Sequence, residues 1–231
     1  MWPRALLIVA LRGPGKSLLL ASAAGWIVMA WLVIDHRFQH SHFTALWLAM
    51  ILAMAPPLLL REIGRLWRTS LRRLRHLTIG SFLSGYVGVW LLAGAVLSSL
   101  FVWVSVDSSR IAVVVAVIAL WQCSPARQRC LNACHRAPAL RLFGTTAQWD
   151  SLRYGIATGC YCAASCGPVM LLVLLATDYH LVVMGLVAVM ITFERYLPAR
   201  RPAWRLPMLR GRSIDWSGYD YGERRSFRYA P

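Results

Sequence analysis

The residues best suited to chemistry in this chain are its six cysteines, Cys123, Cys130, Cys134, Cys160, Cys162 and Cys166. Cys130 and Cys134 stand four apart, so a helix would carry both on one face. Cys162, Cys166 and Met170 repeat that spacing as a second stripe, while Cys123 and Cys160 fall off both stripes. Thiolates and thioethers are soft donors, and a soft donor set selects Cu(I) over harder ions. Arg127, Arg129 and Arg136 flank the first pair, and nearby positive charge favours the thiolate, which is the ligating form. A buried cysteine is also a small apolar side chain. Two other readings therefore stay open: a scaffold or assembly subunit whose cysteines only pack, and a thiol-redox protein. The absence of Cys-x-x-Cys counts against the second.

Methionines extend the soft set. Met50 and Met54 are one helical turn apart, and in a span entered from outside Met54 comes to roughly the depth of Cys166. A route Met50, Met54, Cys166, Cys162 is then geometrically open. Two residues are expected to support the ligands rather than bind: His135, beside Cys134, and Glu194, an acid at the end of the last apolar run. A separate cluster of His36, His40, His42 and His180 falls in external loops, where imidazoles could hold Cu(II) or Zn(II). There is no phosphate loop, zinc-protease signature, nucleophile elbow or haem-attachment motif, and so no positive case for catalysis.

The elements that position these residues are membrane spans. Of 231 residues 58% are hydrophobic and only 15% charged, which implies an all-α polytopic membrane protein. The apolar runs are Ser17–Ile34, Phe43–Leu60, Phe82–Val106, Ile111–Gln122, Gly155–Thr177 and Leu181–Phe193. The fourth and sixth are short for a core needing about 20 residues. Lys and Arg alternate sharply between the intervening segments: three, one, six, one, five, none and nine from the N-terminus to the tail. Cytoplasmic loops carry the excess, so six spans with both ends inside are expected, in a bacterial inner membrane. That sorting also accounts for the net charge of +16, and nucleic acid is not an expected partner; the bilayer is. Ser124-Pro125 reads as the cap and first position of a short helix reaching about His135. The expected organisation is an interfacial N-terminal segment 1–16, a six-span domain 17–197 with a Cys-bearing cytoplasmic loop 123–154, and a basic, aromatic tail 198–231. The loop helix is expected to fold back, with Arg127 and Arg136 reaching lipid phosphates, so that Cys130 and Cys134 meet Cys162.

The run Trp121-Gln122-Cys123-Ser124-Pro125 through Cys130-Leu131-Asn132-Ala133-Cys134-His135-Arg136-Ala137-Pro138 resembles a bacterial family of predicted metal-binding integral membrane proteins, some of them labelled copper chaperones. Trp47, Met50 and Met54 are similar to its Met-rich second span, and Gly85-Tyr86-x-x-x-Trp90 to its Gly-Tyr pattern. Cys162, Cys166 and Met170 match its fifth span, Met184 its sixth, and Glu194-Arg195 with Pro198 its closing motif. This chain departs from the family in having Ser165-Cys166 where adjacent cysteines are usual, Gly167 for an aromatic, Tyr179-His180 for Met-Asn, and Ala55 for a second Met. The resemblance covers about residues 43–198. It implies copper as cargo and a metalloenzyme or metallochaperone as partner, with Cys130, Cys134, Cys162, Cys166, Met170, Met54 and Met50 as the ligand set.

Overall fold

A computed structural model describes residues 14–34, 43–104, 107–136, 138, 141, 144–176 and 179–204. The expected N-terminal interfacial helix, His36, His40, His42 and the tail after Trp204 lie outside the described residues.

The described residues form seven helices: α1 Gly15–Ile34, α2 Phe43–Thr69, α3 Arg75–Val104, α4 Ser108–Cys123, α5 Pro125–Cys134, α6 Gly144–Leu175 and α7 His180–Tyr196. Each predicted apolar run lies within or largely overlaps one of them. α1, α2, α3 and α6 are long and apolar enough to cross a membrane. Taking α4 and α5 as one bent span gives a fifth. α7, with 17 residues, is shorter than the roughly 20 a span ordinarily needs. The helices outrun their apolar cores: α2 continues through Arg61 and Arg65 to Thr69, and α6 begins eleven residues before the predicted Gly155.

Proline writes part of the tertiary structure. A proline inside a helix has no N–H, so the carbonyl four residues earlier loses its partner, and inside a membrane that group must be satisfied by protein. Pro57 frees the carbonyl of Ala53, which accepts from the Ser22 hydroxyl of α1. Pro168 frees that of Ala164, which accepts from the Trp121 indole N–H of α4 at 2.9 Å. In both cases a break in one helix becomes a bond to its neighbour.

Glycine sets the closest approach. α3 and α6 form the most extensive helix pair in the fold, and at Gly155 a Cβ would collide with the Phe82 carbonyl. Gly85 faces the Leu152 carbonyl in the same way, and Gly159 sits against Val89 and the Tyr86 carbonyl. Gly155-x-x-x-Gly159 thus forms a small-residue seam against α3. Phe82 and Tyr86 are fully buried in that seam, with Tyr154 against the Phe82 ring.

α5 forms as predicted: the Ser124 hydroxyl accepts from the Arg127 N–H and Pro125 is the first helical residue. The helix bends 59° from α4 and buries Arg127, Leu131, Asn132 and Cys134. Arg127, expected to reach phosphates, is only 4% exposed. Its guanidinium donates to the Ser165 carbonyl of α6 and forms a two-pronged ion pair with Glu194 of α7. A guanidinium cannot shed its charge, so burial demands a carboxylate partner, and Glu194 supplies it.

Candidate metal centre

Four of the predicted sulfur ligands line one cavity. Met50 and Met54 of α2 and Cys166 and Met170 of α6 line a half-open cavity of about 20 Å³, walled also by Tyr86 and Trp90 of α3 and by the apolar Ile51, Ala55, Leu58 and Ile191. That is room for one water-sized species. All four sulfur side chains are at least 93% buried. The spacing of four puts Met50 and Met54 on one face of α2 and Cys166 and Met170 on one face of α6, and both faces line the cavity.

Cys162 lies one turn further along α6, its Sγ 3.7 Å from that of Cys166. The Cys166 thiol donates to the Cys162 carbonyl at 2.9 Å, and the Tyr86 hydroxyl donates to Cys162 Sγ at 3.4 Å. Cys162 is therefore held between the cavity and the ionic layer beneath it. In that layer Arg195 of α7 pairs with Glu62 of α2 at 2.9 Å, and Arg195 lies within electrostatic reach of Cys134, Cys162 and Tyr86.

The first cysteine pair is arranged differently. Cys134 is buried and Cys130 half-buried. Cys134 comes within electrostatic reach of Cys162, as a folded-back segment requires. Among the described residues, however, no three His, Cys, Asp or Glu side chains gather closely enough to hold an ion. The two pairs are not drawn into one four-thiolate site. His135 caps α5, and its Nδ1 accepts from Arg61 at 3.3 Å. Burial, then Arg195 and Arg61, push His135 down to about 4, so it is neutral near pH 7 and sits behind Cys134. Cys123 is half-buried and Cys160 exposed.

His180, predicted to join the external histidines, is instead packed into the protein. It is 7% exposed, with Nδ1 2.9 Å from the Val173 carbonyl.

The sequence reading passed over Glu62, did not foresee that Arg127 would be buried, and gave Tyr86 no role. A signal was present: α2 and α7 each carry an adjacent acid–base dipeptide at the same end, Arg61-Glu62 and Glu194-Arg195. Two mirrored dipeptides on neighbouring spans are suited to cross-pairing, and Glu62–Arg195 is one such cross-pair.

The donor set of the cavity, three thioethers and a thiol with a second thiol adjoining, fits a soft monovalent ion and offers little to a hard one. No curated protein and no solved structure matches the chain. A family model described as a copper chaperone matches residues 44–209, a stretch that holds every sulfur of this centre, and the chain belongs to that copper chaperone family.

Proposed function

We propose that this protein takes up Cu(I) as cargo inside the membrane and passes it on for delivery, tolerance or insertion into a partner metalloenzyme or metallochaperone. The observation that carries this reading is the cavity lined by Met50, Met54, Cys166 and Met170. These four would hold the ion, with Cys162 as the adjoining ligand. Cys134 and then Cys130 would continue the route, and Glu194 and His135 would support it from behind.

The topology belongs to the same proposal: six crossings with both ends cytoplasmic, in a bacterial inner membrane, with α4 and α5 forming one crossing broken at Ser124-Pro125. Trp121 and Arg127 meet the adjacent carbonyls of Ala164 and Ser165 on α6. Further along, His135 meets Arg61 at the basic end of α2. α5 thus runs on toward the basic end of α2 at 59° to α4. Discontinuous helices of this kind expose backbone ends only where protein surrounds them.

Two measurements test this. Purified protein in lipid nanodiscs should bind a single Cu(I), and the combined variant M50L/M54L/M170L should lose it while keeping its fold. Equal copper binding by both would take the ion out of this cavity, and no binding by either would leave the cysteines as packing residues and favour a scaffold role. Thiols introduced at Ser108 or Tyr179 should react with an impermeant external reagent, and one at Thr69 should not. External labelling at Thr69 would overturn the orientation.

A further inference from the structure

Two carboxylates, Glu62 and Glu194, are buried in this part of the bundle, and each is paired with an arginine. Glu62 is 6% exposed and receives Arg195 on one oxygen, while its other oxygen is buried with no hydrogen-bond partner. Both members of this pair act electrostatically on Cys134 and Cys162, so their charges count at the metal centre. Glu194, the next residue along α7, pairs with Arg127. With two carboxylates matched by two guanidiniums, these pairs add no net fixed charge beside the cavity.

Granting the sulfur centre proposed above, we infer that Arg195 is a specificity-determining residue: by holding Glu62 as an ion pair it keeps the centre soft and restricts it to monovalent cations. A Cu(I) or Ag(I) ion that displaces one thiol proton leaves the charge of the site unchanged. A divalent ion displacing one proton leaves a buried positive charge, which is costly in low dielectric. To avoid it the ion must displace a second proton from a sulfur 3.7 Å from the first, and its other donors are still thioethers, which hard ions bind poorly. Freed from Arg195, Glu62 would supply the missing negative charge.

The test uses full-length protein in nanodiscs, with Ag(I) as the monovalent probe and Co(II) as the divalent one. Wild-type protein should bind Ag(I) and not Co(II). R195Q should gain Co(II) affinity by about tenfold or more, with a cobalt–thiolate charge-transfer band that a merely structural change would not produce. E62Q/R195Q, neutral again, should lose that gain and keep Ag(I) binding. Should R195Q fail to fold, E62Q carries the test: it leaves Arg195 unmatched and should weaken Ag(I) binding by about tenfold, with the double variant restoring it. Wild-type protein that binds Co(II) as tightly as R195Q does, or a double variant that keeps the gain, would overturn the role of Arg195 while leaving the sulfur centre standing. Loss of Ag(I) binding in the wild type would instead remove the centre itself, and this inference with it.

Discussion

Two cysteine pairs in this chain have the same spacing and different surroundings. Cys162 and Cys166 lie in the middle of a 32-residue helix packed along α3, with their sulfurs 3.7 Å apart and aromatic and thioether side chains around them. Cys130 and Cys134 lie in a 10-residue helix in which one of them is buried and the other half-buried. Spacing of four places two side chains on one helix face and does no more. The length and packing of the carrier helix decide whether that face is enclosed. The enclosed pair suits holding a metal, and the half-open pair suits passing one on.

The sharpest way to break this contrast is to detach α5. A buried ion pair joins its Arg127 to Glu194 of α7. R127Q removes the guanidinium from this buried pair, and breaking such a pair costs about 3–5 kcal/mol. Denaturant or thermal melts in detergent should show that loss, along with faster thiol alkylation at Cys134. A nonpolar double replacement, R127M/E194L, should recover most of the stability. Recovery of neither would mean that the pair does not anchor α5.

The second intervention acts on the enclosed pair through its seam. G155A places a methyl group against the Phe82 carbonyl, and overpacking of this kind costs about 1–3 kcal/mol. G167A, where nothing lies within 4 Å of the added atom, is the control and should be near neutral. Equal melting points for the two would show that the α3–α6 approach is slack.

The third separates the pairs by function. C166S should lower Cu(I) affinity by more than about tenfold, or about 1.4 kcal/mol, because it removes the cavity's thiolate. C130S should leave that affinity nearly unchanged and slow transfer to an acceptor chelator. The reverse order of effects would make α5 the holding site.

The smallest effect concerns pH. His135 is lowered to about 4 in the folded protein, against an ordinary value of about 6.5. Between those values the unfolded chain binds the proton and the folded chain does not, so stability falls as pH drops from about 6.5 toward 4. Above that window the group contributes no slope. H135Q should flatten melting temperature against pH in this range, and an unchanged slope would assign it to other groups.

The helices themselves were legible in the residues, because apolar runs, prolines and arginine placement act locally and leave periodic traces. Ser124-Pro125 marked the start of α5, Gly155-x-x-x-Gly159 lies at the seam, and the stripes Met50/Met54 and Cys166/Met170 named side chains that share a cavity, with Cys162 adjoining it. What spacing along one helix cannot specify is its rotation and depth relative to another. That is set by which side chains interdigitate, so only the tertiary structure put Tyr86 on Cys162, carried His180 into the protein, and kept Cys130 and Cys134 from closing a four-thiolate site. Charge shows the limit most plainly. An arginine count treats Arg127 and Arg195 as two more cytoplasmic cations, and the count is satisfied wherever they point. Their burial against Glu194 and Glu62 depends on four residues from three helices meeting at one level, and the electrostatic cost of a buried charge, which no single segment carries, forces them to meet as pairs.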